Sequence, residues 1–228
     1  MGYNAVGVDV ANSATGDKAA LAWGQGHVLM EIQEFQCKNA THLAYNLLWE
    51  SPDLIAREYH DYQTSTIYDY GVPSDCIGID AVGVGVATVN AFEDMGYTVQ
   101  ALQGGYWEEA IPKEERRDPK TGNIVEKLMY RFASLRAQMY WELREDLRKR
   151  QISIQVSDHS KLNQLKKELC IPKFESSNAH ITVEAKESIK KRMGGKSPNI
   201  ADAVAYWNWM RKGYRMQSFY SSAISAGN

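Results

Sequence analysis

Nothing in this 228-residue chain approaches the roughly 20 consecutive apolar residues that a bilayer span requires, and its start lacks the layout of a secretory leader. A membrane partner is therefore not expected. Cysteine is scarce. Cys37, Cys76 and Cys170 are odd in number, far apart and without a Cys-x-x-Cys pair, which excludes a zinc ribbon and points to reduced thiols of a cytosolic protein. His27, His42, His60, His159 and His180 show no metal-ligand spacing, and no Ser or Cys stands in a nucleophile elbow. There is no internal repeat and no low-complexity block. Two nucleotide motifs are also missing. Gly194-Gly-Lys-Ser197 ends like a phosphate-binding loop, but Lys190 holds the place of its first glycine. Gly83-Val-Gly85-Val-Ala-Thr88 puts Thr88 where a dinucleotide fingerprint needs its third glycine, and no acid ends the next strand.

The scarcest resource is positive charge in the first half. Residues 1–110 carry 3 Lys/Arg against 15 Asp/Glu, and residues 111–228 carry 23 against 13, so balances of −12 and +10 lie beneath the net charge of −2. Such polarity suits a chain that turns a basic face to a polyanion while concentrating acid elsewhere.

What is present is a mixed α/β pattern. Tyr3–Val10 is a nearly continuous apolar run of the central-strand kind, and Asp17–Gly26 with His27–Gln36 forms a hairpin pair. Residues 40–70 have helical spacing through Leu43, Leu47, Leu48, Leu54, Ile55 and Tyr59, with a fresh start at Pro52. Asp75–Val82 and Thr98–Leu102 are strands around a helix at 83–95. Residues 105–123 are expected as a loop, with Trp107 as an anchor on the sheet, and Val125–Arg150 as one long amphipathic helix. A short strand at 152–156, a helix at 158–169, a hairpin from 171–174 and 180–184, and helices at 186–193 and 198–211 complete the chain. Ser197 and Pro198 serve as N-cap and first residue of the last helix. The expected fold is a mixed sheet with helices on both faces and a crevice at its strand ends. The domain spans 1–212, followed by a frayed tail at 213–228.

Three aspartates interrupt apolar surroundings: Asp9 in Val6-Gly-Val-Asp-Val10, Asp80 in Ile77-Gly-Ile-Asp-Ala81, and Asp202 in Ile200-Ala-Asp-Ala-Val204. Burying a carboxylate there is costly unless it is paired or bound to a cation. Two such charges about 4 Å apart repel by about 4 kcal/mol at an effective dielectric near 20, so their convergence calls for a cation. Hard oxygen donors select Mg²⁺ or Mn²⁺, and two ions together can drive phosphodiester cleavage. Taken singly, each aspartate is also explained as a strand end, a helix cap or a solvated helix residue. Lys186, Lys190, Lys191, Arg192 and Lys196 lie upstream of Asp202, and Arg116, Arg117 and Lys120 on the 105–123 loop; these are the expected phosphate contacts. Glu184, Glu187 and Asp17 are further candidates for a ligand or water-orienting role.

The segments Gly7-Val-Asp-Val10, Ile77-Gly-Ile-Asp-Ala-Val-Gly-Val-Gly85, Phe132-Ala-Ser-Leu-Arg-Ala-Gln-Met-Tyr-Trp141 and Lys196-Ser-Pro-Asn-Ile-Ala-Asp-Ala203 occur in that order. Together they resemble the nuclease domain of the large terminase subunit of tailed double-stranded DNA phages, an RNase H-like fold, over residues 5–212. The resemblance implies a metal-dependent endonuclease that cuts concatemeric viral DNA during genome packaging. It places Asp9, Asp80 and Asp202 on the family's acidic triad and Lys186 near a lysine beside the site. It further implies an ATPase domain upstream, a small terminase subunit and a portal protein as partners, and the cytoplasm of an infected bacterium as the setting. Ser134 stands where an asparagine is common, and Asn199 replaces a frequent aspartate, which removes one acid near the metals. The loop at 11–16 is poorer in glycine than usual. Two other readings remain open: a junction resolvase of the same fold, marked by preference for branched DNA, and a non-catalytic module that holds DNA or protein.

Overall fold

Period-two alternation sorts the first strand into two faces. β1 (Asn4–Asp9) turns Val6 and Val8 into a core shared with Leu43, Ile77, Ile79 and Phe92, while Ala5 enters a second core on the opposite face. Gly7 and Asp9 share the Ala5 face. β2 (Ala19–Gln25) and β3 (Val28–Phe35) continue antiparallel from β1. β4 (Ile77–Asp80) runs parallel to β1 with Val8 opposite Ile79, so the two strands end side by side at Asp9 and Asp80. β5 (Gln100–Leu102) adds beside β4, and β8 (Ser153–Ile154) beside β3, giving a six-stranded sheet in the order β5-β4-β1-β2-β3-β8. The computed structural model describes residues 4–11, 18–48, 72–103, 110–177 and 180–213; the side chains at 45, 46, 48, 110–116, 125–130 and 176–177 lie outside that description.

Helices cover both faces of this sheet, as the sequence pattern predicts. α1 (Ala40–Leu48) and α2 (Gly85–Asp94) close the Val6 side. α3 (Leu135–Arg148), α4 (His159–Cys170) and α6 (Asn199–Met210) close the other. Every residue of α6 is buried, as expected of a helix apolar on most sides. It lies directly on β1: a Cβ at Gly7 would fall 2.2 Å from the Ala203 carbonyl oxygen and 2.2 Å from the Trp207 amide. Backbone against backbone leaves no room for a side chain there. This contact fixes the height of Asp202 above the strand end that carries Asp9.

The last helix starts differently from the sequence expectation. Pro198 holds the N-cap position and makes no side-chain cap, and α6 begins at Asn199. The missing acceptor comes from another helix. Glu168 of α4 takes the Ala201 amide at 3.0 Å, and the Asn199 side chain donates to the Lys18 carbonyl at 2.7 Å.

Residues 105–150 depart most from expectation. Instead of a loop and one long helix, the chain forms a hairpin of β6 (Ala110–Arg117) and β7 (Ile124–Phe132), then α3. The apolar positions Val125, Leu128 and Phe132 fit a step of three or four, yet Ile-Val-Glu-Lys-Leu-Met-Tyr-Arg-Phe is rich in β-branched and aromatic residues. Ser134 is the true helix start, its hydroxyl accepting the Ala137 amide at 3.1 Å. With β9 (Phe174–Ser177) and β10 (His180–Val183) the hairpin builds a second sheet, β6-β7-β10-β9, and α5 (Lys186–Arg192) follows. The predicted helical stretch beyond 48, Trp107, Asp17 and the tail from 214 lie outside the described residues. No helix among the described residues is long and apolar enough to cross a membrane.

Candidate active site

Alternation and the α6 contact bring the three interrupting aspartates to one place. Asp9 is 1% exposed and Asp202 is fully buried, while Asp80 keeps partial access to solvent. Their charges act on one another: Asp202 raises the carboxyls of both Asp9 and Asp80. Between them sits a cation of the chain's own. Lys186, the first residue of α5, donates to Asp9 Oδ1 at 2.9 Å and places its Nζ 3.0 Å from Asp202 Oδ2. The second approach is off the hydrogen-bonding direction, so that buried oxygen has an ion pair but no hydrogen bond.

Asp202 Oδ1 is crowded by comparison. The Tyr140 hydroxyl donates to it at 2.6 Å, and Arg136 donates through Nε at 3.3 Å and Nη2 at 3.2 Å. Arg136 also stacks over the Tyr140 ring, 4.8 Å from its centre, and sends Nη1 to the Glu184 carbonyl at 3.1 Å. These donors come from α3, where i, i+4 spacing puts Arg136 and Tyr140 on one face. Tyr206, one turn beyond Asp202, acts to lower the Asp80 carboxyl, and the Val82 amide donates to Asp80 Oδ1 at 3.2 Å.

The three carboxyls consequently differ. At Asp202, burial opposes ionisation, but the charges of Lys186 and Arg136 and the Tyr140 hydrogen bond outweigh it and hold the carboxyl below its usual range. At Asp9, burial and the neighbouring Asp202 and Asp80 charges prevail over Lys186, and the carboxyl is pushed up to about 7. Burial likewise raises Asp80. Lys186 and Arg136 are held in their charged forms against burial, chiefly by Asp202.

The sequence pattern predicts a divalent ion at the converging carboxylates; in the structure an ammonium and a guanidinium lie against them. The aspartates are not closed into a ready coordination sphere: among the described residues, no group of three or more His, Cys, Asp or Glu side chains is arranged to hold an ion. The donor chemistry nevertheless suits a hard cation, since every available ligand is a carboxylate oxygen and Asp202 Oδ2 is buried without a hydrogen bond.

The other predicted residues scatter. Lys190 shares the Lys186 face of α5 and is half-buried, while Lys191 and Lys196 are exposed. Arg192 is tied to the Glu184 carboxylate and to the Ile171 carbonyl, the latter at 2.8 Å. Arg117 is exposed at the end of β6 and donates to the Gly122 carbonyl at 3.4 Å, so it belongs to the hairpin turn; the Arg116 side chain is outside the described set. Glu187 is exposed on the first turn of α5. Arg136, Tyr140 and Tyr206 escaped the sequence reading. Their signal was spacing alone: Arg136 to Tyr140, and Asp202 to Tyr206, each four apart on a helix.

No family model matches the chain, and no curated protein matches it. Solved structures do. The nuclease domain of the large terminase subunit gp2 of bacterial virus Sf6 is 20% identical over 91% of this chain and 88% of its own, with a TM-score of 0.62. A lysine-to-alanine mutant of that domain with manganese and beta-thujaplicinol gives 0.63 at 19% identity and the same coverage. The large terminase nuclease of thermophilic phage G20c with bound magnesium is 13% identical over 91% of this chain and 81% of its own, with a TM-score of 0.51. The chain thus has the RNase H-like α/β fold of phage large-terminase nuclease domains.

Proposed function

We propose that this chain is a divalent-metal-dependent endonuclease acting on double-stranded DNA during viral genome packaging. The observation that carries the reading is the meeting of Asp9, Asp80 and Asp202 at the paired ends of β1 and β4, under the first turn of α6. The neighbours of like fold support it: Sf6 domain structures are described with manganese and with calcium, and the G20c nuclease with magnesium.

Asp9, Asp80 and Asp202 are the residues that would hold Mg²⁺ or Mn²⁺. When bound, such ions supply charge neutralisation at a phosphodiester and activation of the attacking water, so no side-chain nucleophile is needed. The chain's own contribution is preparation. Lys186 lies against Asp202 Oδ2 while Arg136 and Tyr140 occupy Oδ1, and together they hold that carboxyl below its usual range. Lys186 neutralises the pocket and presents positive charge where a phosphate would arrive. In this reading the chain works beside an upstream ATPase domain, a small terminase subunit and a portal, in the cytoplasm of an infected bacterium, with two ions at work.

Cleavage of supercoiled plasmid in Mn²⁺ tests the proposal. Nicking is expected with the intact chain and lost on adding a chelator or in Asp80→Ala, whose circular dichroism stays unchanged. Persistent cutting by Asp80→Ala contradicts the assignment.

A further inference from the structure

The turn that follows Asp80 carries an apolar display that the core does not use. Val82 is 59% exposed, Val84 43% and Val86 43%, while the other large exposed apolar side chains among the described residues, Ile124 and Ile154, stand on separate strands. Single exposed apolar residues are ordinary; three in five positions are not. The turn is also held firmly to the site. The Val82 amide binds Asp80 Oδ1, and the Ala81 amide binds the Leu102 carbonyl at 2.9 Å. The chain doubles back so tightly that a Cβ at Gly85 would lie 1.6 Å from the Asp80 carbonyl oxygen. The three valines therefore keep a set position relative to that carboxylate.

Charge says what could cover them. Residues 81–92 contain no charged side chain, although they lie in the half of the chain whose balance is −12. A polyanion reaching the aspartates meets Lys186 at the pocket and this neutral edge beside it. An acidic surface would repel it, and a basic surface would draw its phosphates away from the carboxylates. Deoxyribose presents apolar faces between successive phosphates, which is the surface that valines can bury.

We propose that Val82, Val84 and Val86 form a substrate-contacting edge that packs against the sugar faces of duplex DNA whose phosphate lies at Asp9, Asp80 and Asp202. The inference rests on the nuclease reading and adds the surface that seats the duplex.

The test is the V82S/V84S/V86S variant, which keeps every backbone donor. Duplex affinity is read by fluorescence anisotropy without divalent ions, and cleavage kinetics in Mn²⁺. The expected result is a roughly tenfold rise in Kd, about what one buried valine contributes. KM rises in parallel, kcat is kept, and the melting temperature is unchanged because the side chains are exposed. The salt dependence of log Kd keeps its slope, since no phosphate contact is lost. V84E/V86E loses more affinity, and the excess loss shrinks as salt is raised. Wild-type Kd and KM in the serine variant overturn the proposal. So does self-association of the wild type that the serine variant loses while DNA affinity stays constant, because that assigns the edge to a second copy. An intact chain that neither binds nor cuts DNA removes the nuclease reading itself, whereas an active chain indifferent to the serines removes only the valine edge.

Discussion

The end of β1 and the first turn of α6 each bury an aspartate beside the same lysine, yet the two carboxyls move in opposite directions. Asp9 is pushed up to about 7 and Asp202 is held below its usual range. Burial is not what separates them, since both are almost inaccessible. The difference is the number of positive and hydrogen-bonding partners. Asp9 has the Lys186 ammonium, whereas Asp202 has Lys186, two Arg136 nitrogens and the Tyr140 hydroxyl. Burial is the largest single influence on both carboxyls, and only at Asp202 do the charges and hydrogen bonds together outweigh it. The pocket therefore favours the ionised form of Asp202 and opposes that of Asp9.

Removing the donors should erase that contrast. Arg136→Ala leaves Asp202 buried with less compensation and is expected to cost about 3–5 kcal/mol in urea denaturation, with cleavage falling alongside. A loss below 1 kcal/mol would show that Lys186 alone sustains the ionised form. Asp9→Asn acts on the other side of the comparison. Its folded-state carboxyl rises from 3.8 to about 7, so its contribution to stability is full below pH 4 and lost as pH climbs toward 7. Asp9 should therefore work against the melting temperature of the metal-free chain as pH rises through that window, and Asp9→Asn should remove its share of the slope. An unchanged slope would place the titrating proton elsewhere. Tyr140→Phe is the mildest cut, removing one hydrogen bond to a charged oxygen. About 1.5–3 kcal/mol is expected, without loss of the fold, by the same urea measurement.

Asp9, Asp80 and Asp202 were legible because each breaks an apolar run, and an interruption is visible in a single sequence. Their meeting was legible too, since odd positions of β1 and even positions of β4 face one side and α6 has to bury itself there. Arg136 and Tyr140 interrupt nothing; charged and aromatic residues on an amphipathic helix look like its ordinary surface. Ser197 looked like a cap because local sequence cannot show that Glu168, 33 residues before Ala201, supplies the acceptor. The β6–β7 hairpin was hidden by a coincidence of spacing: Val125, Leu128 and Phe132 satisfied a helical step that continued into α3, and only the cap at Ser134 marks the change.

One link reaches past the pocket. Arg136 hangs from the main-chain oxygen of residue 184, where the chain leaves β10 of the smaller sheet. No exchange of side chain there abolishes that oxygen, so the tether tolerates any residue whose backbone follows the same path. A comparison of letters would never mark it, although a small displacement of the strand's exit would be felt at the arginine and, through it, at the buried acid.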